Sequence, residues 1–371
     1  MKYALTAAAL AALIAAAPLR ADDPPKEKPK DEKPTVQKQF EAIMKEFQKA
    51  QEPLFKEFQS AKTDEEKEVV IAKVPKVAGP FAAKALKLAE ENQKDPEIIQ
   101  PLMFALQLGK SERAGELIFE TQGQKKEFPL MLAQLAGQGE DNAGLNKLLK
   151  VSLEKSKDKA VQGTACLSLA QLHFAQSDAA KDTEKAAAHS KEAETYAVKV
   201  TKEFADETGP EGKLGKSAEG VLFQIRNLGV GKAAPEVVSH DLDDKEVKLS
   251  ALKGKVVVLD IWATWCGPCR AMIPHEREMV EKLKDRPFSL ISISADEEKK
   301  SLKDFLEKEK MPWTHWWEGK NENGILKDWG VRFFPTIYVI DAKGVIRFKN
   351  IRGKKLEEAV EKLVKEAEGK S

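Results

Sequence analysis

The stretch VVVLDIWATWCGPCR, residues 256–270, constrains this chain more than any other. Val256 to Trp262 is apolar apart from Asp260 and rich in β-branched residues, which predicts a strand buried on both faces. A short loop follows, then a helix beginning at about Cys266 with Pro268 just inside it. A cysteine at a helix N-terminus faces unpaired backbone N–H groups and the positive end of the helix dipole, and both favour thiolate over thiol. An exposed Cys266 is therefore expected to be a nucleophile near neutral pH. Cys269, one turn along, is placed to attack a mixed disulfide formed on Cys266.

Three roles compete for this pair. A structural disulfide across two residues closes a tiny loop and constrains little. A zinc site needs further ligands, and the sequence has neither a second CxxC nor an HxxxH, so no metal or other cofactor is expected. Catalysis requires two cysteines at this spacing. Cys166, the remaining cysteine, lies far upstream in a helical segment and is expected to be a small buried residue.

The 371 residues suffice for two or three domains, and a net charge of +1 gives no sign of a nucleic-acid partner. The opening MKYALTAAALAALIAAAPLRADD reads as a signal peptide over 1–21, too short and too Ala-rich in its apolar run for a membrane span. The expected location is outside the cytoplasm, in the periplasm. Residues 22–35, rich in Pro, Lys and acids, read as a solvated disordered linker.

From 36 to 228 apolar residues recur at helical spacing without strand signals, which predicts an all-α domain, a bundle or a solenoid. Phe40, Ile43, Met44 and Phe47 form one stripe, and Pro53 is expected to kink or divide that helix. Leu145, Leu148, Leu149 and Leu153 form another, with Asp141 as its cap, and Val221, Leu222, Ile225 and Leu228 end at Gly229. Residues 161–206 weakly resemble tetratricopeptide repeats without their full signature. His173 and His189 on these helices lack neighbours at ligand spacing and read as ordinary helix residues.

Beyond Gly229 the pattern changes to short β-branched runs at 255–263, 288–296, 336–344 and 345–350, alternating with helical stretches. The DAKG turn at 341–344 predicts an antiparallel hairpin, and the two earlier strands, separated by helix, should pair in parallel. The expected fold of 229–371 is therefore α/β, a mixed sheet flanked by helices.

WCGPC, the apolar strand before it and the later FFPT resemble thioredoxin-fold proteins. The opener VGKAAPEV, with LDDKEVKLSALKGKVVVLDIWATWCGPC, resembles the exported TlpA-like thiol-disulfide reductases of redoxin type. The resemblance implies that Cys266 attacks and a buried Cys269 resolves, the two cycling through a redox-active disulfide. It implies that Pro335 is the cis-proline packed beside them, with Phe334 offering its backbone to an extended substrate. Trp265, Gly267 and Pro268 complete the expected substrate contacts. Pro274 matches the proline that bends the active-site helix, and 301–330 occupies the place of an inserted helix and strand.

Asp260, six residues before Cys266, stands where thioredoxins carry a buried acid, and desolvation should raise its pKa so that it exchanges a proton with Cys269. The lysine that often accompanies this acid is absent; Ser292 and Ser294 occupy the next strand. Gly267-Pro268 matches thioredoxin, whose couple lies near about −270 mV, and tilts the direction towards reduction. Expected partners are protein disulfides, a membrane donor of thiol electrons and a protein bound by the helical domain.

Two rivals stand beside an enzyme that reduces protein disulfides. One is a docking protein whose helical domain binds a partner. The other is a peroxiredoxin-like peroxidase, against which Ala263 stands where that family carries Thr or Ser, with Thr264 one residue out of place. Trp313, Trp316 and Trp317 either line a partner groove or are partly buried by strand alternation, and His275 and His315 have no specific support as site residues.

Overall fold

Thr35 starts the first described helix, its hydroxyl accepting the Lys38 N–H at 3.3 Å. The computed structural model describes residues 34–137, 142–180, 182–319 and 324–369. The signal peptide read at 1–21, nearly all of the linker read at 22–35, and Asp141 lie outside the described residues. Among the described residues no helix is long and apolar enough to cross a membrane.

Helix α1 (Val36–Ser60) buries Phe40, Phe47 and Leu54 along one stripe. It runs through Pro53 instead of dividing there, and Leu54, just beyond, lies on the buried stripe. Helices α2 (Asp64–Ile71), α3 (Val74–Glu91), α4 (Ile99–Gln107), α5 (Glu112–Gln122), α6 (Phe128–Ala136) and α7 (Ala143–Lys155) follow. Phe104 of α4 packs edge-on against Phe40 and Phe47, with ring centroids 5.9 and 5.2 Å apart. Helices α5 and α7 approach closely where a Cβ on Gly115 would lie 2.4 Å from the Gly144 carbonyl oxygen, a contact only glycine permits. The cap of α7 is Asn142, which accepts the Leu145 N–H and donates its amide to the Leu106 carbonyl at 2.9 Å.

Helices α8 (Lys159–Ala179) and α9 (Thr183–Glu203) come next, with Cys166 fully buried in α8. Burial pushes the Cys166 thiol up to about 12. A minimal hairpin, β1 (Thr208–Gly209) with β2 (Gly212–Lys213), interrupts the helical region before α10 (Leu214–Asn227). Two-residue strands carry no periodicity, which is why the sequence pattern misses them.

The chain divides into two compact units. One is built from residues up to Gln176 together with Lys199–Gly215, the other from Ser177–Val198 together with Lys216 onward. In the second unit the strands are β3 (Val238–Asp241), β4 (Glu246–Lys248), β5 (Val256–Trp262), β6 (Phe288–Ser294), β7 (Thr314–Trp317), β8 (Thr336–Ile340) and β9 (Ile346–Lys349). They form one mixed sheet in the order β4-β3-β7-β6-β5-β8-β9. As expected, β5 and β6 are parallel and β8 and β9 antiparallel, while β8 also runs antiparallel to β5. The helices of this part are α11 (Gly267–Arg270), α12 (Ile273–Leu283), α13 (Lys299–Lys308), α14 (Ile325–Asp328) and α15 (Gly353–Ala367).

All seven residues of β5 are buried. On one face Val256 and Val258 pack with Met279 and Leu283 of α12 and Leu356, Val360 and Leu363 of α15. On the other, Val257, Leu259 and Ile261 pack with Leu228, Ile325 and Trp329. Each such side chain contributes about 1.5–3 kcal/mol by burial, so β5 is a rigid base for the loop that leaves it. Helix α10 joins the same unit through Phe223, and Gln224 donates to the carbonyls of Trp329 and Gly330, both at 3.1 Å.

Candidate active site

Cys266 occupies the N-cap of α11, and its Sγ accepts the Cys269 backbone N–H at 3.2 Å. The two sulfurs are joined in a disulfide. A donor aimed at Sγ from the first helical turn is the contact that stabilises negative charge on it. Cys266 is not the exposed residue expected from sequence. It is only 5% exposed, bonded to Cys269 within a cluster of Trp262, Ala263, Ile273, Leu302 and Met311, with Phe334 packed against it. Cys269 is buried in the same cluster. Helix α11 ends at Arg270 and a separate helix restarts at Ile273 with Pro274 in its first turn, so the active-site helix is broken there.

Trp265 is 67% exposed and stands edge-on to Phe334, ring centroids 5.6 Å apart. Gly267 and Pro268 are exposed beside it. The Phe334–Pro335 bond is cis, and the Pro335 carbonyl accepts a hydrogen bond from the Arg352 guanidinium at 3.0 Å. Of the residues expected from sequence to meet a substrate, Gly267 and Pro268 lie between the two cysteines in the chain, and Phe334 packs against the cluster that holds both sulfurs.

Asp260 is buried on the β5 face that also carries Val256 and Val258. Desolvation raises its pKa to about 7, against the opposing Arg352 charge and a 3.5 Å contact from the Ser292 hydroxyl. Ser292 in turn accepts the Trp313 indole N–H at 2.8 Å. Asp260, Ser292 and His315 are register partners across β5, β6 and β7, making a buried polar row in an otherwise apolar sheet. His315 places Nε2 3.0 Å from the Met311 carbonyl, and burial lowers its pKa, which favours the neutral ring. His275 is exposed. Trp316 is buried in the opposite core, whereas Trp313, just before β7, and Trp317 pack half-buried against the cysteine cluster; strand alternation puts Trp316 and Trp317 on opposite faces.

Two carboxyls escape the sequence reading. Asp296 is buried and accepts the Thr264 N–H at 3.1 Å, the Thr264 hydroxyl at 2.6 Å and the Ser294 hydroxyl at 2.7 Å. It ties the loop before Cys266 to the end of β6. Trp317 adds a bond from its indole N–H to the Asp296 carbonyl at 2.8 Å. Glu276 is 2% exposed on α12, and its proton affinity is raised well above the ordinary glutamate value, by burial first and then by the charge of Asp260. Its spacing with Ile273, Met279 and Leu283 puts it on the apolar stripe of the helix, a signal present in the sequence.

Known proteins resemble the C-terminal part of this chain in sequence. The AhpC/TSA family pattern matches residues 230–349. Thiol-disulfide oxidoreductase ResA of Bacillus thuringiensis subsp. konkukian is 31% identical over 147 residues, spanning 40% of this chain and 83% of that protein. Thioredoxin-like protein YneN of Bacillus subtilis is 29% identical over 130 residues, 34% of this chain and 74% of that one. The solved thioredoxin domain of a thiol-disulfide oxidoreductase from Bacteroides vulgatus is 31% identical, covering 37% of this chain and 99% of its own, with a TM-score of 0.36. The ResA match and the redoxin pattern, on a chain whose CGPC pair sits where strand β5 hands over to a helix, place this protein among the TlpA-like thiol-disulfide oxidoreductases of the thioredoxin fold.

Proposed function

We propose that the protein is an exported reductase of protein disulfides that works through the Cys266–Cys269 dithiol. The observation that carries this reading is the Cys269 N–H aimed at Cys266 Sγ from the first turn of α11. In the reduced protein that donor favours the Cys266 thiolate, which attacks one sulfur of a substrate disulfide. The substrate S–S bond breaks, its second sulfur leaves with the electron pair, and Cys266 is held in a mixed disulfide. Cys269 then gives its proton to Asp260 while its sulfur attacks Cys266 Sγ. The mixed disulfide breaks and the substrate departs as a second thiolate, so the substrate gains two electrons and the protein is left as the disulfide.

Trp265, Gly267, Pro268 and the Phe334–Pro335 segment form the surface on which an extended substrate is read. Gly267-Pro268 supports the reducing direction, and a membrane-bound dithiol donor would regenerate the pair. The apolar start of the chain supports export. The Thr264 hydroxyl is engaged by Asp296, which counts against a peroxidase reading that needs a hydroxyl at the reactive sulfur.

Reduction of insulin disulfides tests the proposal. Cys266→Ser should abolish it, and Cys269→Ser should accumulate a covalent mixed disulfide with the substrate. Normal turnover by Cys266→Ser would overturn the mechanism.

A further inference from the structure

Asp260 and Glu276 approach the site from different elements, one on β5 and one on α12, and both are almost fully buried. Asp260 Oδ1 and Glu276 Oε1 each lack a hydrogen-bond partner among the described residues. Glu276 lies between Met272 and Met279, which pack in the cluster holding Val258 and Ile337, the strand neighbour and the register partner of Asp260. Trp262, two residues beyond Asp260 on the same face of β5, packs in the cluster that holds both sulfurs. A buried polar atom without a partner costs about 1–3 kcal/mol, so two such carboxyl oxygens on the packed elements β5 and α12 call for one explanation.

We propose that Glu276 is a positioning residue for the Cys269 proton transfer: it shares one proton with Asp260, so that the carboxyl pair carries a single charge when Cys269 must ionise. A proton held by Glu276 and directed at Asp260, directly or through one water, gives each orphan oxygen a partner. It also avoids two negative charges in a dry site, where like charges strongly disfavour double ionisation. The charge of Asp260 holds the Glu276 proton in place, in keeping with the direction in which Glu276 is displaced.

Of the other groups near the pair, the Trp262 indole N–H and His315 Nδ1 also lack partners among the described residues, and neither bonds Asp260 Oδ1 or Glu276 Oε1. Arg352 acts on Asp260 by its charge and donates to the Pro335 carbonyl, Ser292 accepts from Trp313 and turns its hydroxyl to the other Asp260 oxygen at 3.5 Å, and His315 turns Nε2 to the Met311 carbonyl. In the resolving step the Cys269 proton moves to Asp260, and the Cys269 sulfur forms its bond to Cys266 as the bond to the substrate breaks. Glu276 keeps its proton throughout. Its effect is to hold a sufficient share of Asp260 as carboxylate near neutral pH. The proposal rests on Cys266 and Cys269 as the reacting pair.

The experiment is single-turnover oxidation of the reduced full-length protein by oxidised glutathione, for wild type, Glu276→Leu and Glu276→Gln, from about pH 5 to about pH 9. Rates are expressed as ratios to wild type at each pH, so that the Cys266 ionisation common to all three cancels. Glu276→Leu should be about 3- to 10-fold slower near pH 7, because Asp260 without its neutral donor holds its proton more tightly. Its ratio should recover towards one as the pH rises by about one unit. Glu276→Gln, whose amide still donates, should restore most of the rate and keeps the test sound where the leucine variant folds poorly. A loss in Glu276→Leu that does not recover with pH, or that Glu276→Gln fails to restore, would overturn the shared proton alone. Failure of the wild type to form the Cys266–Cys269 disulfide would overturn the reading of the pair together with it.

Discussion

The carboxylate of Asp296 accepts both polar hydrogens of Thr264, the backbone N–H at 3.1 Å and the hydroxyl at 2.6 Å. This clamp fixes the loop that delivers Cys266 and leaves neither donor orphaned in a buried site. Asp296→Ala should therefore destabilise the protein by about 2–4 kcal/mol in urea unfolding and lower kcat/KM for insulin. Asp296→Asn, which retains one acceptor, should lose less. An alanine variant as stable as wild type would show that the clamp contributes little.

Asp260 predicts a pH dependence of stability. Its folded pKa, about 7, lies above its ordinary value of 3.8, so the folded state binds the proton more tightly than the unfolded chain. The stability it contributes is fully present below about pH 4 and is lost as pH rises through about 7. Replacing it with Asn should remove that loss, making the variant more stable than wild type at about pH 8 by on the order of 2–4 kcal/mol. Urea titrations at about pH 5 and about pH 8 measure it, and a difference that stays constant between them would contradict the buried-acid account.

Trp265 separates recognition from folding. Being two-thirds exposed, its truncation to Ala should change stability by no more than about 0.5–1 kcal/mol. The same change removes the ring set against Phe334 and should raise KM for a peptide disulfide more than it lowers kcat. Steady-state kinetics beside a thermal melt distinguish the two effects.

Cys166 should be silent in the native protein. With its residue fully buried and its thiol raised to about 12, iodoacetamide should modify it only after denaturation. Native labelling of the reduced protein should reach Cys266 first, as peptide mass mapping would reveal. Early modification of Cys166 would mean that α8 opens readily.

What the sequence made legible follows periodicity and motif. The runs at 255–263 and 288–296 became β5 and β6, paired in parallel, because long apolar strands announce themselves. Cys266 and Cys269 share one buried cluster against which Phe334 packs, and Asp260 stands on β5 two residues before Trp262 of that cluster, because all lie in or beside such segments. Glu276 and Asp296 were missed because charged residues are by default assigned to solvent. Only the register of α12 for one, and the pair of Thr264 donors arriving from another element for the other, reveals burial. The exposure of Cys266 was overestimated for a similar reason, since Phe334 reaches its cluster from far along the chain. Pro53 shows a limit of local signals: it does not divide the helix, which continues through it to Ser60 with Leu54 buried.

Strand β5 is hydrogen-bonded on both edges, along all seven residues to β6 and along five to β8. Its amides consequently have no route to solvent short of unfolding the domain, so they should exchange hydrogen at the slowest rate the unit allows. The loop that follows is held more sparsely, by the Asp296 clamp and by the Cys266 N–H bond to the Ala263 carbonyl at 3.0 Å. The acid therefore sits on the most firmly held segment of the unit, and the amides of the loop after Trp262 should exchange faster than those of β5.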